Sequence, residues 1–270
     1  MKSDKIGLIA GWGDLPLTFA KSAFEKNQDL TIIAIKSSAS KELEKYGKTH
    51  WFSFTEAQKI IDTLKKEKVK NLVMLGKIEH KSILFHLHKF DERAKNFLFS
   101  LKDKRAKSIL HSIINELEKE GFEFIDPTPF LSSLLVEEGF LVNPIEDENI
   151  KKDIVFGMKI AKEVADLDIG QTVIVKDGVV IAVEGVEGTD KCILRGGELG
   201  GEGTVVCKAA RKNQDMRYDV PVVGVKTLES MKKAKAKVLA VESGKTYLLN
   251  KDEFIKKAKE YKISVLGVKL

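Results

Sequence analysis

Between Glu184 and Gly224 the chain crowds together the residue types that phosphate chemistry uses. Eight glycines fall there (Gly185, Gly188, Gly196, Gly197, Gly200, Gly201, Gly203 and Gly224), out of 20 in the whole chain. Glycine lets backbone come close to a ligand. Interleaved with them are the carboxylates Glu184, Glu187, Asp190, Asp215 and Asp219 and the bases Lys208, Arg211, Lys212 and Arg217. Carboxylates can hold a hard cation, and Lys and Arg can pair with phosphate oxygens. A phosphate ester and its metal are the ligands such a stretch suits. A second glycine set, Gly11, Gly13 and Gly76 with Lys77, falls where short apolar runs end.

The elements that must carry these residues read as two α/β halves. Ile6 to Ala10, Leu30 to Ile35, His50 to Phe52 and Asn71 to Leu75 read as strands, the most apolar of them as buried parallel ones. Amphipathic segments at Leu17 to Lys26 and Thr55 to Glu67 alternate with them, which predicts an open, Rossmann-like parallel sheet with helices on its faces. Ligands of such sheets bind at the carboxyl ends of the strands, where Gly11, Gly13, Gly76 and Lys77 lie. A helix is expected from Arg105 to Glu120, capped by Gly121. The acidic run Val142 to Lys152 reads as a linker, which puts an N-terminal domain at residues 1–142 and a mixed α/β domain at 150–270. In the second half Lys176-Asp177-Gly178 between apolar runs signals a hairpin. Thr189-Asp190 is placed to cap a helix beginning at Lys191.

Composition narrows the setting. The 270 residues are 43% hydrophobic and 32% charged, with a formal charge of +6, so an acidic partner is permitted. A phosphorylated ligand, nucleic acid and an anionic membrane surface all meet that condition. Cys192 and Cys207 form no CxxC and lie near no His cluster, so a zinc site or a disulfide scaffold is not expected and a reducing cytoplasm is. No apolar run has the length of a signal peptide or a membrane span, so any membrane contact is expected to be peripheral. Ser82 to Phe99 carries an aromatic and aliphatic stripe with basic residues between, which is core at helical spacing or an apolar groove for an acyl chain.

Gly11-Trp12-Gly13 also invites a dinucleotide reading. Pro16 stands where the third glycine of that fingerprint belongs, and the second strand ends at Ile35-Lys36 with no carboxylate for a ribose. A nicotinamide-dependent oxidoreductase is therefore the weaker alternative. A non-enzymatic sensor of a nucleotide sugar or lipid is the other, because binding and hydrolysis share most contacts.

Taken together, several blocks resemble the LpxI family, the UDP-2,3-diacylglucosamine pyrophosphatases of lipid A biosynthesis. They are Ile6-Gly7-Leu8-Ile9-Ala10-Gly11 with Leu15-Pro16, Glu118 to Glu123, Leu167-Asp168-Ile169-Gly170-Gln171, and Val183-Glu184-Gly185 running into Glu187-Gly188-Thr189-Asp190. Lys208 with Gln214, Arg217, Asp219, Pro221 and Gly224 completes them. The chain departs from the family at Trp12, where a third glycine is common, and at Arg105 to His111, which lacks the usual pair of acids.

The resemblance implies two α/β domains with the substrate held between them, and hydrolysis of UDP-2,3-diacylglucosamine to UMP and 2,3-diacylglucosamine 1-phosphate. It implies a divalent cation, typically magnesium. Asp219 matches the family's essential aspartate, with Arg217 and Lys208 as catalytic partners that pair with phosphate. Asp219 is a candidate metal ligand, and the residue types make Asp190 and Glu187 further candidates. Gly170, Gln171, Gly188, Thr189, Gln214 and Thr227 join Gly11, Gly13, Gly76 and Lys77 as substrate-binding candidates. A lipid-linked nucleotide sugar implies peripheral contact with the cytoplasmic face of an inner membrane, with no nucleic-acid partner. A homodimer is compatible with all of this.

Overall fold

The computed structural model describes residues 4–76, 90–100, 106–217 and 220–270. The chain divides into two compact units. The first runs to Leu131 and takes in Met216 and Arg217; the second begins at Ser132.

In the first unit β1 (Ile6–Ala10) is followed by α1 (Asp14–Glu25), β2 (Leu30–Ile35), β3 (Lys48–Phe52), α2 (Ala57–Lys66) and β4 (Asn71–Leu75). Helices α3 (Glu92–Ser100) and α4 (Ala106–Lys119) and the short strand β5 (Glu123–Phe124) complete it. The strand order is β3-β2-β1-β4-β5, and every pairing is parallel. All five residues of β1 are buried, as a central strand covered on both faces requires. Ile60, Ile61 and Leu64 of α2 pack on Ile9 and Ile33 with Ile114 and Leu117 of α4. The chain runs outward from β1 in both directions, so the strand order reverses between β1 and β4, the place where open sheets of this kind open a crevice for ligands.

The second unit contains β6 (Gly139–Val142), α5 (Glu148–Asp166), β7 (Thr172–Lys176), β8 (Val179–Val183), α6 (Thr189–Gly200), β9 (Val205–Lys208), β10 (Val222–Val223), α7 (Val225–Lys233), β11 (Val238–Glu242), β12 (Tyr247–Leu248), α8 (Lys251–Glu260) and β13 (Ser264–Val268). Its main sheet has the order β6-β13-β11-β9-β7-β8. β9, β11 and β13 run parallel, while β6, β7 and β8 pair antiparallel. Strand alternation sorts the core into two layers. Val173, Val175, Val205 and Cys207 pack on α5, while Ile174, Val206 and Leu239 face α6, α7 and α8.

Local chemistry sets several boundaries. Asp147 caps α5, its carboxylate accepting from the backbone N–H of Asn149 at 2.9 Å. The hairpin turn has φ of 50° at Asp177 and 75° at Gly178, as a type I′ turn demands, and the buried Asp153 carboxylate accepts from both backbone N–H groups. Helix α6 begins at Thr189, two residues before the expected Lys191, with Gly188 and not Thr189-Asp190 at its cap.

The expected domain boundary also moves. Residues 139–142 fall inside the expected N-terminal domain 1–142, but as β6 they pair with β13 at the edge of the second sheet. The run before it lacks clear periodicity, and its strand exists because the last strand of the chain offers an edge.

Candidate functional site

The polar residues of the second unit gather at the carboxyl end of β9. Lys208 closes that strand opposite Thr172 of β7 and is only 7% exposed. Its Nζ donates to Thr189 Oγ1 at 3.0 Å, at the first residue of α6. The Thr189 hydroxyl donates to Glu184 Oε1 at 3.0 Å, and Thr172 Oγ1 lies 3.4 Å from Thr189 Oγ1. Glu184 Oε2 accepts from the backbone N–H of Gln171 at 3.3 Å. One carboxylate thus ties the loop before β7 to the loop before α6. Gly170 makes this possible, since a Cβ there would sit 2.2 Å from the Glu184 carbonyl oxygen.

A second layer of contacts holds the chain that leaves β9. The backbone N–H of Ala209 donates to the Gln171 carbonyl at 3.0 Å. Gln171 Nε2 donates to Gln214 Oε1 at 3.0 Å, which also accepts from the Arg211 N–H at 3.1 Å. Arg211 pairs with Asp168 at 2.8 Å. The Ala210 peptide is gripped at both ends. Its N–H donates to Glu242 Oε2 at 2.8 Å, and its carbonyl accepts from Lys162 Nζ at 2.8 Å, while Lys162 and Glu242 pair at 3.0 Å. Gly170, Gln171, Gly188, Thr189, Lys208 and Gln214 are therefore brought together.

The other candidates stand differently. Glu187 binds Arg195, whose guanidinium holds the carboxyl below the usual carboxylate range, and it also accepts from the Gly185 N–H at 3.1 Å. Asp190 pairs with Lys226 at 3.1 Å. Among the described residues no group of three or more His, Cys, Asp or Glu side chains converges to hold a metal ion. Among the described residues Glu187 and Asp190 are each held by a base, Arg195 and Lys226. The buried Thr227 hydroxyl accepts from the Gly224 N–H at 3.5 Å, closing the first turn of α7. Asp219 and Lys77 lie outside the described residues. Burial pushes the Cys192 thiol up to about 12 and raises that of Cys207 too, so neither is a thiolate nucleophile near neutral pH.

In the first unit Gly11, Gly13 and Gly76 meet at the carboxyl edge of the sheet. The Gly11 N–H donates to the Leu75 carbonyl at 2.9 Å. Gly76 has φ of 90°, and a Cβ there would lie 2.7 Å from the Gly11 carbonyl carbon, so only glycine fits. Gly13 is at the cap of α1, with no side chain closing it. Arg217 approaches Glu118 of α4 at 3.9 Å.

Reading the sequence alone missed Glu184 as an organiser, Thr172 as a neighbour of Thr189, and the grip of Lys162 and Glu242 on Ala210. A polar residue closing each of several apolar strands, as Glu184, Lys208 and Glu242 do, was the available signal.

Comparison with known proteins places both halves. The LpxI N-terminal domain matches residues 5–134 and the LpxI C-terminal domain residues 137–266. The UDP-2,3-diacylglucosamine pyrophosphatase LpxI of Caulobacter vibrioides is 29% identical over 277 aligned positions, which cover 98% of this chain and 97% of that protein. A solved structure of leucoanthocyanidin reductase with NADPH from Vitis vinifera aligns at a TM-score of 0.27 and 12% identity over 44% of this chain and 47% of that one, a likeness too slight to argue from. With an LpxI domain matched to each half, the chain belongs to the LpxI family.

Proposed function

We propose that this chain hydrolyses the pyrophosphate bond of UDP-2,3-diacylglucosamine, releasing UMP and 2,3-diacylglucosamine 1-phosphate in lipid A biosynthesis. Water adds to one phosphorus, and the bridging oxygen leaves with the other. The observation that carries the reading is the buried Lys208 held against the N-terminal residue of α6 at the carboxyl end of a central strand. A helix N-terminus offers unpaired N–H groups and a positive dipole end, and a buried ammonium beside it adds a full charge. Together they suit the pyrophosphate oxygens, with Thr189 as a hydroxyl donor once it turns from Glu184. Gln171 and Gln214 shape the surrounding wall, and Arg217 enters this reading as a phosphate-pairing base through the family resemblance.

Asp219 is the carboxylate assigned to the essential step, orienting water or holding a divalent cation. Magnesium commonly takes only one or two protein carboxylates and completes its shell with water and substrate phosphate, which supports a sparse site drawing on Asp219 and on Asp190 or Glu187 freed from their bases. A bound cation would neutralise charge on the phosphate oxygens. Among the described residues no helix is long and apolar enough to cross a membrane. The diacylated substrate is membrane-borne, so the reading includes peripheral contact with the cytoplasmic face of the inner membrane.

The test is purified protein with UDP-2,3-diacylglucosamine and magnesium, with and without EDTA. UMP release that EDTA abolishes is the expected result. Asp219→Ala should lose about a thousandfold or more in rate while keeping cooperative melting. Activity within about tenfold of the parent would remove Asp219 from the mechanism. Tight substrate binding with no UMP would instead identify a sensor.

A further inference from the structure

We infer that the outer face of helices α7 and α8 is the surface by which the protein settles on an anionic phospholipid bilayer, and that this docking brings the site to its membrane-borne substrate. The inference rests on the hydrolase reading above and names the surface that makes its membrane contact. The net charge of the chain is concentrated there. From Val225 to Leu270 there are 12 lysines and no arginine against five acids, a net charge of +7 in 46 residues, whereas all 270 residues together carry +6. The other 224 residues therefore carry a net −1. Eleven of the 12 lysines are exposed, and Lys257 is half-buried. One of the five acids, Glu242, is buried and bound to Lys162, so it does not screen the face.

The fold gathers these charges on one face. Leu228 and Met231 of α7 and Phe254 and Ala258 of α8 pack into one core with Leu239 of β11, so the two helices lie side by side and turn their polar faces outward. Lys232 of α7 and Lys257 of α8 meet over the ring of Tyr261, at 4.2 Å and 5.4 Å from its centre. Lys233, Lys235, Lys256, Lys259 and Lys262 are exposed at the same ends of the two helices. Lysines in a last turn complement the helix dipole, but each C-terminus carries only about half a charge, which these exceed several-fold. The face also reaches the polar cluster of the second unit, since Lys226 in the first turn of α7 pairs at 3.1 Å with Asp190, the residue after Thr189. Lysine is depleted in protein–protein interfaces, and arginine is the base that grips nucleic-acid phosphates in a fixed geometry. A field of exposed lysines without arginine fits a diffuse layer of lipid phosphates, for which a cluster of roughly four to eight bases suffices.

Flotation of the full chain with vesicles of phosphatidylcholine, with and without phosphatidylglycerol, tests the inference. Retention should require phosphatidylglycerol and should fade as added salt shortens the reach of the charges. Each lysine near such a surface adds about fivefold to affinity. Lys232→Glu, Lys233→Glu, Lys256→Glu and Lys259→Glu combined should therefore weaken vesicle binding about a hundredfold or more. The same four positions changed to Gln replace that variant if it melts early. UMP release from the long-chain substrate in phosphatidylglycerol vesicles should fall about tenfold or more, while kcat/KM on the soluble diacetyl analogue stays within about twofold of the parent. A parent that ignores phosphatidylglycerol, or a folded variant that binds vesicles as the parent does, overturns the docking face. Retention of the parent on duplex DNA but not on vesicles assigns the face to nucleic acid and overturns it equally. Failure of the parent to release UMP from the diacetyl analogue strikes the hydrolase reading instead, and vesicle binding still decides the face.

Discussion

The two units collect their unusual features in opposite ways. The first keeps an apolar pocket beneath the ends of its parallel strands, and the charged residues among its described lining, Arg93 and Glu116, pair with each other. The second brings Lys208, Glu184, Thr189 and Thr172 to the end of its sheet and partners each of them within the protein. An apolar lining needs no partners, whereas a pyrophosphate needs donors aimed in advance. An unpaired buried charge is costly, so a site made of such groups must satisfy them before the ligand arrives. The Lys208 to Thr189 contact does so, and in the proposed function a phosphate oxygen takes its place.

The strongest way to break this contrast is Lys208→Met. If the polar cluster serves chemistry, kcat/KM should fall about a hundredfold to a thousandfold, while the melting temperature holds or rises because methionine accepts burial. Kinetics and melting of the same preparation decide it. Full activity would reduce the cluster to a device of the fold.

Gly170→Ala should act on both properties. The added Cβ meets the Glu184 carbonyl at 2.2 Å, so the loops before β7 and α6 must part. A loss of about 1–3 kcal/mol is expected from the denaturant midpoint, together with loss of UMP release. A stable and active variant would show that Glu184 does not need to bridge those loops.

Glu242→Gln sharpens the role of the grip on Ala210. The substitution keeps the volume and removes the charge facing Lys162. About tenfold lower kcat with KM nearly unchanged is expected if the grip positions the segment after Lys208. A shift in stability alone would make it structural.

The smallest effect concerns pH. Lys65 and Arg93 hold the Glu120 carboxyl of the first unit below its ordinary range, as Arg195 does for Glu187 in the second. A carboxyl whose folded value lies below its unfolded value adds stability above the unfolded value, and that gain fades as pH falls through the folded value. Both groups are near the surface, so each effect should be modest and should shrink in salt. Urea midpoints taken downward from neutral pH should decline less steeply in Glu120→Gln than in the parent. An identical acid limb would exclude that contribution.

What local sequence carries, the sequence alone determined. Continuous apolar runs specify β1, β2 and β4 because strands buried on both faces need no polar alternation. Asp177-Gly178 specifies its turn because both positions take positive φ. The blocks around Gly170-Gln171 and Gly188-Thr189 pointed to the family and to the residues now found together. Tertiary structure decided the rest, because each remaining feature depends on partners distant in the chain. β6 joined the second sheet because β13 offered it an edge. Thr189 came to face Lys208 because α6 starts there, two residues before the expected Lys191, while Asp190 turns to Lys226. The pocket of the first unit arises where residues of three strands and three helices leave space between them, and no single segment of sequence encodes that distance.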